Sequence, residues 1–247
     1  MNSARQFFAM LLATGLLIAT AHVGVSWAAG PPNSGTVQGV VIPPAKVEPP
    51  PPQRLGYLDR IENPVLVELR QYDPFPECFI FLDGGPVSAD AGAPPKSAVV
   101  WQLEANSFNP PLLPVVTGST VEIDNDKNGE TQLLEAQSQP GLLPSDPIGP
   151  GGAKTITAAG DGAIVIVSRS SPHLKGRLVP LPSRYFAKLD HNGRFKIENV
   201  PPGRWTVKIW YRDGWASLPT RTIDVPTRDI KIDLPEGALA PPASAGK

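Results

Sequence analysis

The chain has 247 residues, with 22 Lys and Arg against 23 Asp and Glu, and a formal net charge of −1, so there is no basic stripe to engage nucleic acid. Its 31 prolines and 23 glycines punctuate it every few residues, which suits many short strands and argues against long helices. Cys78 is the single cysteine, which excludes an intramolecular disulfide.

Residues 1–28 read as a secretory signal peptide. Arg5 supplies the positive start, Phe7 to Ile18 the apolar stretch, and Ser26 and Ala28 the small residues around a cleavage site. The apolar run is short for a membrane span and lacks a charged stop-transfer flank. The expected mature protein is on the order of 220 residues, enough for two small domains, and is periplasmic or secreted and not membrane-spanning. Residues 29–54 are Pro-rich with one short strand, Thr36 to Ile42. Further strands are expected at Asn63–Arg70 and Glu77–Leu82, followed by a Gly/Ala/Pro loop over Gly84–Lys96. In the second strand Cys78 alternates with Ile80 and Leu82, as a small buried apolar residue would.

From Ala98 onward the chain reads A-V-V-W-Q-L-E-A-N-S-F-N-P-P-L-L-P-V-V-T-G-S-T-V-E-I-D-N to Asn125. Val121 and Ile123 alternate with Thr120 and Glu122, so one face is buried. The G-P-G-G of Gly149–Gly152 is a tight turn before a Lys154–Thr157 strand, and Ile164–Val167 is continuously apolar and central. After Pro182 the pattern changes. Asp190, Gly193 and Phe195 form a D-x-x-G-R-F hairpin, and Val200–Trp205 a V-P-P-G-R-W turn into a strand. In that strand Trp205, Val207, Ile209 and Tyr211 share one face, and Arg204, Thr206, Lys208, Trp210 and Arg212 the other. Strands near Thr220–Val225 and Ile230–Leu234 follow, and residues 236–247 read as a disordered tail.

Phe108, Pro110, the V-x-x-G-S-T-V-E-I run from Val115 and Asn125, with the closing stretch Gly162–Val179, resemble the opening and closing strands of cupredoxins, specifically the periplasmic methylamine-utilisation-like group. The motifs around Asp190–Phe195 and Val200–Trp205 resemble a carboxypeptidase-regulatory-like, or transthyretin-like, β-module. The expected fold class is therefore all-β: a cupredoxin-like Greek-key sandwich at 95–182, and, from motif order, a transthyretin-like (prealbumin-like) sandwich split between 35–94 and 183–235; the alternative is two consecutive domains with a disordered N-terminal arm.

The cupredoxin resemblance implies copper, yet its ligand pattern C-x-x-H-x-x-M-x-G is not kept. Anchored on Gly176, Ser168 stands for Cys, Ser171 for His and Leu174 for Met, while Thr131 stands for the upstream His. Hydroxyls and an aliphatic chain are poor replacements for imidazole, thiolate and thioether. A rearranged site from Cys78, His173 and His191 would also need its supporting partners rebuilt. A second metal pattern, D-x-D-x-N-G-x5-E over Asp124, Asp126, Asn128, Glu130 and Glu135, matches a calcium loop in spacing. A strand, not a helix, leads into it, and a solvated turn has the same composition.

No nucleophile elbow, zinc-ligand pair or phosphate loop is present, and Ser168–Ser171 beside His173 is not a triad, so no enzyme and no cofactor are expected. The favoured function is a non-catalytic binding module for an envelope protein, with His173, Trp210, Arg212 and Trp215 as a candidate surface; the other reading of the tryptophans is core packing against the neighbouring sandwich, with the second strand face as the interdomain face. The alternatives are a carbohydrate-binding protein acting on a surface glycan through Trp210 and Trp215, and copper electron transfer from a shifted site. The carbohydrate reading rests on fold analogy.

Overall fold

The computed structural model describes residues 34–45, 47, 72–104, 107–171 and 173–239. The expected leader, the Asn63–Arg70 strand, most of the Pro-rich segment and the tail beyond 239 lie outside the described residues. Among the described residues no helix is long and apolar enough to cross a membrane.

The chain is all-β. It begins with β1 (Gly35–Ile42) and β2 (Cys78–Asp83), then a four-residue helical turn, Ala89–Gly92. Eight strands follow: β3 (Val99–Glu104), β4 (Ser107–Asn109), β5 (Leu112–Val116), β6 (Thr120–Lys127), β7 (Leu134–Ala136), β8 (Ala153–Thr157), β9 (Ile164–Ser168) and β10 (Lys175–Leu181). The last six are β11 (Phe186–Lys188), β12 (Arg194–Val200), β13 (Gly203–Tyr211), β14 (Gly214–Trp215), β15 (Arg221–Val225) and β16 (Thr227–Asp233).

Strand pairing divides these into two units. The middle strands form two sheets among themselves, ordered β4-β3-β6-β8 and β5-β10-β9-β7. Strands from the two ends of the described chain pair with each other: β1 lies between β12 and β16, and β2 between β11 and β13, with β14 and β15 also on β13. Each unit has its own core. Trp101, Leu103, Ile123, Ile164, Ile166 and Leu178 fill the middle unit. Val37, Ile80, Leu82, Phe195, Trp205 and Ile232 fill the other.

A third cluster joins the units. Phe79 and Phe81 of β2 and Trp210 of β13 pack on Leu112 of β5 and on Val179 and Leu181 of β10. The four sheets therefore stack in layers, and the two inner sheets are apolar on both faces where they meet, at β2, β5 and the end of β13. This explains the unbroken apolar runs C-F-I-F-L in β2 and L-L-P-V-V in β5, where alternation is lost because both faces are buried.

Two expectations change. The Asp190–Gly193 turn forms, with Asp190 Oδ1 accepting from the Asn192 and Arg194 amides at 2.8 and 2.7 Å. It does not join a paired hairpin, because β11 pairs with β2 and β12 with β1, in different layers. Gly193 has φ +72°, and a Cβ there would sit 2.1 Å from the Val41 carbonyl oxygen, so close approach of the turn to β1 requires glycine. The tail expected from 236 starts too early: Ala238 and Leu239 are buried in the outer core, and the Ala238 carbonyl accepts from the Ser217 amide.

Candidate functional site

The pole where copper would sit is built by the loop from β6 to β7 and the loop from β9 to β10. Ser168 ends β9 and is 1% exposed. Its Oγ donates to Gln132 Oε1 at 2.6 Å and lies 2.9 Å from Ser170 Oγ, which donates to the same amide oxygen at 3.2 Å. Gln132, also 1% exposed, donates from Nε2 to Asn128 Oδ1 at 2.9 Å. The Ser171 amide donates to Ser168 Oγ, and the Leu174 amide to the Ser171 carbonyl at 2.8 Å. Leu174 is fully buried in the middle core. Gly176, the anchor of the motif, packs flat on Trp101 and Phe108; a Cβ would come within 2.5 Å of the indole.

These contacts gather Ser168, Ser171 and Leu174 at one end of the middle sandwich. Thr131 adjoins Gln132 there, but its own side chain is exposed. Gln132 is the residue that sequence counting missed. It shares the inward parity of Leu134 and Ala136, which was the available signal. From β6, Asn125 Nδ2 donates to the Glu130 and Ile148 carbonyls at 2.7 and 3.0 Å and pins the β6–β7 loop against the segment before β8.

The donor set at this pole does not fit copper. It offers hydroxyls and a carboxamide already engaged with one another and an aliphatic chain at the thioether position, and none of the four ligand positions carries an imidazole or a thiolate. Nor is a shifted site assembled: among the described residues no group of three or more His, Cys, Asp or Glu side chains is placed to hold a metal ion. Cys78 is buried against Ile80 and Leu82 in the outer core, and burial, reinforced by the Glu77 and Asp73 charges, pushes its thiol pKa well above the usual range. His191 Nδ1 pairs with Asp73 at 2.7 Å in the exposed turn, and His173 lies exposed on the β9–β10 loop.

The calcium pattern is likewise not drawn together. Asp124 and Asp126 lie on β6, where Asp124 Oδ1 accepts from the Asp126 amide. Asn128 Oδ1 accepts from the Glu130 amide and from Gln132, and Glu130 itself is exposed. Glu135 has crossed to β7 in the opposite sheet and is paired with Arg169.

Of the proposed surface, Trp210 and Arg212 are internal, 3% and 7% exposed. Trp210 stacks parallel to Phe79 between the units, and its Nε1 donates to the Arg212 carbonyl at 2.8 Å. The "polar" strand face is thus covered at its end by the middle sandwich. Arg212 pairs with Glu77, and its Nη2 donates to the Tyr72 hydroxyl at 3.0 Å. Beside it, Arg177 of β10 holds Asp213 through two hydrogen bonds of 2.6 and 3.2 Å, an ion pair that spans the two units. Trp215 remains 44% exposed, but Phe79, Phe81 and Trp210 surround its ring and Lys208 Nζ sits 5.5 Å from the ring centroid. A sugar platform of two displayed indoles is therefore not formed.

No protein-family model matches the chain, and no curated protein matches it. Among solved structures it is similar to the reduced state of an amicyanin point mutant, at 17% identity over 40% of this chain and 100% of that one, with a TM-score of 0.31. It is similar to amicyanin from Paracoccus versutus at 19% identity over 41% of this chain and 97% of that one, with a TM-score of 0.30. The copper-containing nitrite reductase of Thermus scotoductus SA-01 is 25% identical over 39% of this chain, with a TM-score of 0.31; the match spans a quarter of that enzyme.

Proposed function

We propose that this chain is a periplasmic or secreted, non-catalytic binding protein for an envelope protein partner. In this reading a cupredoxin-like sandwich keeps its frame without its copper ligands. Residues 35–94 and 183–235 would form one transthyretin-like module into which residues 95–182 are inserted. The observation that carries the reading is the Ser168–Gln132 hydrogen bond, where two neutral side chains satisfy each other at a residue that the cupredoxin resemblance would make a copper ligand. A group that must bind copper cannot spend its donors this way, whereas a recognition scaffold gains rigidity from a closed polar network. Support for the compartment is the leader pattern of Arg5, Phe7–Ile18 and Ser26–Ala28.

The test is copper titration of the full mature chain, with metal analysis and a visible spectrum. The expected result is no stoichiometric copper and no intense charge-transfer band. One equivalent of tightly held copper with a blue or violet absorption would return the protein to electron transfer.

A further inference from the structure

The sequence holds two Asn-Gly pairs, Asn128–Gly129 and Asn192–Gly193. In such a pair the backbone nitrogen of the second residue can attack the side-chain amide of the first, because glycine has no Cβ to obstruct the approach. The attack requires the nitrogen to give up any hydrogen-bond partner and the peptide to turn toward the side chain. Both pairs carry the same local chemistry, and the fold holds them differently.

Gly193 is buried and held from both sides. Its amide donates to the Asp190 carbonyl at 2.8 Å, and its carbonyl accepts from the Val41 amide of β1 at 2.8 Å. Asp190 Oδ1 also accepts from the Asn192 amide at 2.8 Å. A Cβ on Gly193 would meet the Phe75 ring at 2.7 Å, so the turn is packed closely on its surroundings. To bring the Gly193 nitrogen onto the Asn192 side chain, the turn must leave β1 and break these bonds.

Gly129 is exposed at φ +76°, with nothing within 4 Å of the place a Cβ would take. Among the described residues no hydrogen bond holds its amide. The neighbouring carboxamide, by contrast, is held in place. Asn128 Oδ1 accepts from the Glu130 amide at 3.3 Å and from Gln132 Nε2 at 2.9 Å. The first bond closes a ring that contains the Gly129 nitrogen, so the carboxamide lies folded back along the peptide it must meet. Both donors sit on the oxygen where negative charge gathers when that nitrogen adds to the carbonyl carbon.

We infer that Asn128 is a site of spontaneous deamidation and isoaspartate formation, and that the fold protects Asn192 from the same reaction. The Gly129 nitrogen bonds to Asn128 Cγ and gives up its proton. The Cγ–Nδ2 bond breaks, and ammonia leaves carrying that proton. Water then opens the cyclic imide, and nothing is oxidised or reduced. Opening at Cγ gives aspartate, which keeps a side-chain acceptor for Gln132 Nε2. Opening at the main-chain carbonyl carbon gives isoaspartate, which lengthens the loop by a methylene and draws the former side-chain carbonyl into the backbone. Gln132 then loses its tie to residue 128, and the Ser168 pole that Gln132 anchors loosens.

The test holds the full mature chain in mildly alkaline buffer, native and urea-unfolded, and follows both Asn-Gly peptides by mass spectrometry for a gain of about one dalton. An isoaspartyl methyltransferase counts the isoaspartate. In the native chain Asn128 is expected to convert at least about tenfold faster than Asn192, a barrier difference on the order of 1.4 kcal/mol. In urea, where neither turn exists, the two should convert at similar rates. Asn128→Gln should abolish the fast native conversion, and Asn192→Gln should leave it unchanged. The isolated isoaspartyl form should unfold at lower urea than Asn128→Asp. Equal native rates at the two sites, or an Asn128 that converts in urea but stays intact in the native chain, would overturn the assignment. An isoaspartyl form as stable as Asn128→Asp would overturn its effect on the pole.

Discussion

Ser168 and Gln132, 36 residues apart, meet through a buried hydrogen bond of 2.6 Å from hydroxyl to carboxamide oxygen. The contact ties the β6–β7 loop to the end of β9. Replacing Gln132 by Leu removes the acceptor for both Ser168 and Ser170 and the donor to Asn128. The expected cost is about 1–3 kcal/mol in urea unfolding, the penalty for stranding buried polar groups. Adding Ser168→Ala should cost less than the sum of the two single changes, because the stranded hydroxyl is removed as well. Additive effects would show that the two side chains do not interact.

Trp210 and Trp215 should separate cleanly in stability. Trp210→Ala opens a cavity in the layer between the units and should cost about 3–5 kcal/mol. Trp215, 44% exposed, should cost on the order of 1 kcal/mol. Thermal or urea denaturation of both variants decides it; equal costs would contradict the observed burial.

Asp213 supplies a pH dependence. Burial pushes its carboxyl pKa up, but the hydrogen bonds and charge of Arg177, with Lys175 and Arg212 nearby, outweigh burial and hold it below the ordinary carboxylate value. A carboxyl with a lowered folded-state pKa adds stability that is complete above its unfolded pKa, about 3.9. That contribution disappears as pH falls through the lower folded value. The stability gap between wild type and Asp213→Asn should therefore be largest at neutral pH and shrink in acid. Solvent screening at the partly exposed Asp213 side chain keeps the effect small. A gap that grows below pH ~4 would reverse the assignment.

Cys78 should be inert in the native protein. Its side chain is 3% exposed, and burial raises its thiol pKa, so little thiolate exists at neutral pH. A disulfide-exchange reagent is expected to label it only after urea unfolds the chain. Rapid stoichiometric labelling under native conditions would place the thiol at the surface.

Strand identities were legible because period-2 alternation records which face is buried. The β13 split into Trp205/Val207/Ile209/Tyr211 and Arg204/Thr206/Lys208/Trp210/Arg212 is found as expected, with the first set in the outer core. The same alternation leaves ambiguous what lies against the second face, and Trp210 shows it: a single strand carries no record of the neighbouring sandwich that covers its end. The Asp190–Gly193 turn was equally readable in its local chemistry, while the pairing of β11 with β2 and β12 with β1 depends on strands more than a hundred residues away.

The site follows the same division. Residue type alone determined that Ser168, Ser171, Leu174 and Thr131 cannot supply the imidazole, thiolate and thioether of a blue-copper centre, because donor chemistry is a property of the side chain itself. Only the tertiary structure decided that Gln132 is the partner of Ser168, that Arg177 reaches Asp213 across the two units, and that the Val41 amide reaches the Gly193 carbonyl. Each of these is a meeting of groups far apart along the chain, fixed by sheet stacking and by the direction in which a backbone amide points.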